Sequence, residues 1–295
     1  MYTTTQRLLG PAALLASALL VTACGPAAED AAPDGADGTP VDGFLLPEET
    51  AHVHGIVSDP DSGGLLLGTH YGIYRVTGAD DDVEAELIGP VMDYMGLAEA
   101  GRDRLVASGH PGTGTQDLPN PVGLLESTDG GKTWTTLSRA GQSDFHALTA
   151  TEDTVIGFDG ALVATDDGEK WRELAPDVAA ISLATDDDAT TVVATTQEGV
   201  RRSTDGGETF TTVDGAPPLM LVDWSADDTV LGIDPTGGVH RSDDAGRTWS
   251  ELGSAQGAPE AFHATPDHIA AVVHGVLVVS HDEGATFGAP RLPAD

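Results

Sequence analysis

Ser127-Thr128-Asp129-Gly130-Gly131-Lys132-Thr133-Trp134 returns as Ser203-Thr204-Asp205-Gly206-Gly207-Glu208-Thr209-Phe210. It returns again as Ser242-Asp243-Asp244-Ala245-Gly246-Arg247-Thr248-Trp249 and as Ser280-His281-Asp282-Glu283-Gly284-Ala285-Thr286-Phe287. A worn copy, Ala164-Thr165-Asp166-Asp167-Gly168-Glu169-Lys170-Trp171, keeps Asp, Gly and Trp without the Ser and Thr. Aligned on Asp129, Asp166, Asp205, Asp244 and Asp282, the copies recur about every 38 residues, a period that belongs to solenoids, propellers and related arrays. The phrase has the chemistry of a hairpin turn. Its Ser hydroxyl and Asp carboxylate can accept from nearby backbone N–H groups, and its Gly takes a positive φ where a Cβ would clash. The Thr opens the next strand, and the Trp or Phe enters the apolar layer between sheets.

Each repeat holds four short apolar stretches separated by Gly, Asp or Pro turns, the pattern of a four-stranded antiparallel blade. Strands are predicted at 52–57, 65–69, 72–76 and 84–88 in the first blade. The second begins at Tyr94-Met95-Gly96-Leu97 and carries an insertion at 110–122. Four more begin near Phe145, Ile181, Leu221 and Phe262. The expected fold is all-β, a six-bladed β-propeller; a seventh blade would require splitting a loop. The S-x-D-x-G-x-T-W pattern resembles the Asp-box, or BNR, repeat of sialidase-type β-propellers, from about residue 50 onward. That resemblance implies a fold and leaves activity open, because the boxes are structural turns.

At the N-terminus, Arg7 precedes an apolar run over 8–20 and then Val21-Thr22-Ala23-Cys24. The run is too short to span a bilayer and reads as a signal-peptide core. Cys24 is the single cysteine, and its setting resembles a bacterial lipobox. This implies that residues 1–23 are removed and Cys24 is lipidated. Ordinary signal-peptidase cleavage beside an incidental cysteine is the alternative. More than one acyl chain makes such an anchor stable. Residues 24–49 are rich in Ala, Pro, Gly and acids and read as a disordered acidic tether, with the propeller at 50–295. The expected location is extracytoplasmic, on the bacterial cell membrane, as a monomeric propeller.

The formal charge of −35, with only two lysines, disfavours nucleic acid as a partner. Acidity on this scale favours solubility; a salty habitat or a lysine-poor proteome would each produce it.

Strand direction assigns residues to faces. With strands A to D running outward from the channel, the Asp-boxes join C to D. The A–B and C–D turns then share one face, and the B–C turns and D–A crossings share the other. His52, His54, His146 and His263 fall at the starts of A strands; His70, His110 and His274 fall beside B–C turns. All seven are expected opposite the Asp-boxes. His54, Met95, His146 and His263 are expected in equivalent register, preceded two residues earlier by His52, Asp93 and Asp144 in the first three blades. Imidazoles, carboxylates and a thioether in one place suit copper or zinc. The candidate metal ligands are His52, His54, His70, Met95, His110 and His146. A polar sugar pocket using the histidines with Asp93, Asp144, Asp159 and Glu260 is the rival, and a partner protein covering well-packed histidines is the third reading.

A sialidase would grip its sugar carboxylate with three arginines, since guanidinium forks match carboxylates. Here Arg102 and Arg104 are expected on the Asp-box side, Arg202 and Arg241 immediately precede box serines, and Arg75 holds the equivalent place in blade one. Classical exo-sialidase activity is therefore not expected. Were the chain a glycoside hydrolase, Asp93, Tyr94 and Asp144 would be the candidate acid, base or nucleophile. The strings His-Val-His-Gly, Gly-Thr-His-Tyr-Gly, Asp-Tyr-Met-Gly and Asp-Phe-His-Ala-Leu are similar to a group of bacterial BNR-repeat lipoproteins often labelled glycosyl hydrolase-like. Related Asp-box propellers serve as assembly factors, which makes a binding scaffold an equally natural use of the fold.

Overall fold

The computed structural model describes residues 42–294. Cys24, the predicted signal segment and most of the predicted tether lie outside them. Six four-stranded antiparallel sheets follow one another along the chain. Blade one is Val53–Ser58, Leu65–Thr69, Gly72–Thr77 and Glu84–Ile88. The A strands of the next four blades are Asp93–Glu99, Ala147–Ala150, Ser182–Thr185 and Leu221–Ala226. Blade six holds Pro259–Ala264, Ile269–Val273 and Val276–Ser280.

The outer strand of blade six comes from the other end of the chain. Phe44 pairs with Leu277 and Leu45 with Val276, and Leu46 is buried behind them. The propeller thus begins inside the stretch read from sequence as tether. The reason is physical: after the last Asp-box the chain gives the edge of Val276–Ser280 only a single bridge, Val279 to Gly288, so that edge needs another partner for its backbone groups. The C-terminal residues then cross to blade one, where Arg291 bridges Ala79. Both ends staple blades six and one.

Burial follows the radial order. The B strands of blades one and six are buried throughout, because blades flank them on both sides, whereas outer strands such as Trp171–Glu173 are half-exposed or exposed. Separate apolar clusters fill the spaces between blades. The box aromatics join them: Trp134 lies 5.6 Å from Tyr94, and Trp171 stacks on Phe145 at 5.1 Å.

The boxes form the expected turn. In the first, the amide of Gly131 donates to Ser127 Oγ at 3.0 Å. Asp129 accepts from the Thr133 amide at 2.9 Å and from its hydroxyl at 2.6 Å. The same bonds recur around Asp205, Asp244 and Asp282. The worn copy differs from the sequence reading. Its working carboxylate is Asp167, which accepts from the amides of Glu169 and Lys170 at 2.9 and 2.7 Å. Thr165 stands in for the serine. Asp166 instead pairs with Arg172 at 3.0 Å. This turn has one residue fewer between Asp and Trp, which shifts the register by one.

Candidate functional site

The innermost strands surround a channel of about 720 Å³. At its mouth opposite the Asp-boxes, the A strands of blades one, two and six each carry a bulge: between Val53 and Gly55, between Tyr94 and Gly96, and between Pro259 and Ala261. A bulge re-aims the extra side chain. The bulged residues are His54, Met95 and Glu260, so Glu260 is the blade-six counterpart of His54. This corrects the sequence alignment, which placed His263 there.

His52, His54 and His70 come together. One ring nitrogen of each lies within 4.8 Å of the others, and His54 Nε2 is 3.3 Å from His70 Nε2. The ring centroids are 4.9 Å apart for His52 and His54 and 4.5 Å for His54 and His70. Two carboxylates flank the group. Asp93 Oδ1 lies 2.9 Å from His70 Nδ1. Glu260 Oε2 lies 3.9 Å from His52 Nε2, and its carboxylate accepts from the Val53 and Gly275 amides. Burial, with the neighbouring His70 and His52 rings, lowers the pKa of His54 from 6.5 to about 4, so its lone pair is free at neutral pH.

A second group begins one strand away, where Asp93 faces His110 across the sheet. His110 Nε2 is 3.0 Å from Asp144 Oδ2, its Nδ1 is 2.7 Å from Asn120 Oδ1 of the insertion, and His146 Nδ1 is 3.6 Å from Asp144. His110 and His146 therefore gather on a carboxylate rather than joining the three imidazoles. Beside them is a pocket of about 510 Å³ lined by Asp144, His146, Phe158, Asp159 and Ile181. Glu260, the three imidazoles, Asp93, His110, Asp144 and His146 make an arc over blades six, one, two and three, the contiguous set that the sequence indicated.

Two expectations are corrected. Tyr94, a candidate nucleophile, is fully buried between blades, and burial pushes its pKa far up. Alternation in its strand turns it into the core while Asp93 and Met95 stay half-buried. His263 is buried in the channel wall toward the opposite end, bonded to Asp223 and Ser58.

The BNR/Asp-box repeat family matches residues 125–136, the end of a C strand and the first box; the same turn recurs at three later places and, one residue shorter, at Asp167. The chain is a six-bladed β-propeller that carries BNR/Asp-box repeats. No curated protein is similar enough in sequence to match it. Among solved structures, this propeller resembles the GH74 enzyme of Niastella koreensis at 18% identity and TM-score 0.57, with 84% of this chain and 45% of that one covered. The chain thus spans less than half the length of that enzyme. A gluconolactonase from Xanthomonas campestris, XC5397, gives 11% identity and TM-score 0.62, over 81% and 86% of the two chains. YCF48 bound to D1 peptide gives 19% and 0.52, over 83% of each. These likenesses are likenesses of fold.

Proposed function

We propose that this propeller binds a late first-row transition-metal ion, copper first and zinc second, through His52, His54 and His70. The observation that carries the reading is the approach of His54 Nε2 to within 3.3 Å of His70 Nε2. A tetrahedral ion with metal–nitrogen bonds of about 2.0–2.1 Å places its ligand atoms about 3.3–3.4 Å apart. His54 Nε2 is almost as close to His70 Nδ1, at 3.5 Å, and an ion held through the two Nε2 atoms would select one of these two contacts. Asp93 supports the reading. By accepting from His70 Nδ1 it would fix the tautomer and leave Nε2 for the ion, the role of a carboxylate behind a metal-bound histidine. The order of affinities for nitrogen ligands favours copper over zinc. His110 and His146 are held by Asp144, so a fourth position on the ion would be filled by water. The lipid on Cys24 would hold the domain outside the bacterial cell membrane.

The test is metal analysis of the purified full-length protein after loading with Cu(II) or Zn(II) and desalting, beside a His54→Ala/His70→Ala variant. One tightly held ion in the parent and none in the variant supports the reading. An equal content in both, or none in the parent, removes it.

A second reading is a polar sugar as ligand, of the kind the glycosyl hydrolase-like resemblance suggests. The 510 Å³ pocket favours it, since Phe158 offers a face for a sugar ring and Asp144 and Asp159 offer acceptors. Glycan-array binding that survives the double histidine substitution would favour this reading over the metal.

A further inference from the structure

His263 is a buried imidazole with both ring nitrogens engaged by side chains from other blades. Its Nδ1 lies 2.8 Å from Asp223 Oδ2 on the A strand of blade five, and its Nε2 lies 2.9 Å from Ser58 Oγ at the end of the A strand of blade one. Asp223 is itself fixed: Oδ2 also accepts from the Ala264 amide at 2.8 Å, and Oδ1 from the Trp224 amide at 2.9 Å. A carboxylate so held keeps the proton on Nδ1 and turns the bare Nε2 toward the serine hydroxyl, the division of roles that defines a nucleophile, a base and an orienting acid. Elsewhere between blades, simpler bonds suffice. Ser182 Oγ bonds the backbone of Val222, and Thr195 Oγ1 donates to the Met220 carbonyl. Joining blades does not require a desolvated imidazole.

We propose that Ser58, His263 and Asp223 form an acyl-transfer triad in the channel wall, with Ser58 Oγ as the nucleophile toward small uncharged esters. Val57, Glu99, Asp223 and His263 line the 720 Å³ channel, and Ser58 is half-buried directly behind that lining, so an ester would have to pass Glu99 and His263 to reach it. Ser58 Oγ forms a bond to the ester carbonyl carbon while its proton passes to His263 Nε2. The bond to the alkoxy oxygen breaks, and the leaving alcohol takes that proton. Water then attacks the acyl-serine by the reverse proton path, releasing the acid and restoring Ser58.

Glu99 sets the preference for neutral substrates. Its Oε1 accepts from the Ser58 amide at 2.6 Å and lies 3.7 Å from His263 Nε2, so a negative charge stands beside the reacting oxygen. The groups facing His263 are thus Asp223, Glu99, Ser58 and the His268 ring, whose centroid is 6.1 Å away. Burial lowers the pKa of His263, but the hydrogen bond and charge of Asp223, with Glu99, outweigh burial and raise it. Reactivity should therefore climb with pH along a limb centred above the ordinary histidine value of 6.5.

The experiment is labelling of the full-length protein with a small uncharged fluorophosphonate, followed by intact mass and peptide mapping, with p-nitrophenyl acetate hydrolysis in parallel. The expected result is one adduct, on Ser58, absent in Ser58→Ala. In Asp223→Asn its rate should fall about 10⁴-fold, as when the orienting carboxylate of a triad becomes an amide. Glu99→Gln keeps an acceptor for the Ser58 amide but removes the charge, and should speed labelling. Thermal melts confirm that each variant is folded. Should Asp223→Asn unfold, Ser58→Ala and the pH limb carry the test. No adduct on the folded parent, an adduct on another residue, or a rate independent of pH overturns the proposal and leaves the three residues as an interlock.

Discussion

His54 Nε2 and His70 Nε2 stand 3.3 Å apart, brought together by a bulge that turns His54 toward the turn carrying His70. Asp93, from the next blade, backs His70 at 2.9 Å. If this is the heart of an ion site, then Asp93→Asn should keep the ion but weaken it. Replacing an outer-shell partner typically costs 10–100-fold in affinity. Competition titration with a chromogenic chelator would measure it; unchanged affinity would remove Asp93 from the site.

The register of the worn box is open to a direct comparison. Asp167→Ala removes the acceptor for the Glu169 and Lys170 amides and should lower the melting temperature by several degrees. Asp166→Ala loses an exposed pair with Arg172 and should stay within about 0.5 kcal/mol of the parent, as surface changes do. The reverse order would restore the alignment on Asp166.

The box carboxylates also predict acid behaviour. The Thr209 and Thr286 hydroxyls, followed by other box donors, hold Asp205 and Asp282 down from 3.8 to about 2. A depressed carboxylate contributes stability above its unfolded value and loses it as pH falls through the folded one. Circular-dichroism melts should therefore decline from about pH 3.8 toward about 2. In Asp205→Ala that decline should be shallower. His263 works in the other sense: with its pKa raised, its contribution is full below 6.5 and fades as pH climbs through the folded value. His263→Gln should flatten the alkaline limb of the same curve.

Closure of the ring gives a mechanical prediction. Leu46 is buried against the blade-one and blade-six core beside the Phe44–Leu277 pair, and Leu46→Ala should cost about 2–5 kcal/mol. Deleting residues 42–46 should destabilise by more, because it also exposes the edge of blade six. Urea unfolding would measure both; a deletion as stable as the parent would show that the closing strand is dispensable.

The blades were legible in the sequence because their signal is repeated: a box every 38 residues or so, with an aromatic at its end and apolar strands between. What escaped had no period. Phe44–Leu45 is two residues long and is defined only by a partner more than two hundred positions away. The misplacement of His263 came from bulges, which add a residue to one strand without marking the sequence; the bulge in its strand falls at Glu260. Asp167 was hidden by a one-residue deletion beside another aspartate. Strand direction put His52, His54 and His70 at one end of the propeller but did not separate them from Met95, His110 and His146, and the Ser58–His263–Asp223 relay, which joins A strands of three blades, needs coordinates to be seen.

The pairing of Phe44–Leu45 with Val276–Leu277 also orders events in time. A chain made from its N-terminus must keep its first strand waiting until the last hairpin has emerged, and contacts so remote in sequence form slowly. Until then the partly made toroid has a raw seam. Folding of this protein is therefore expected to be a late, whole-chain event.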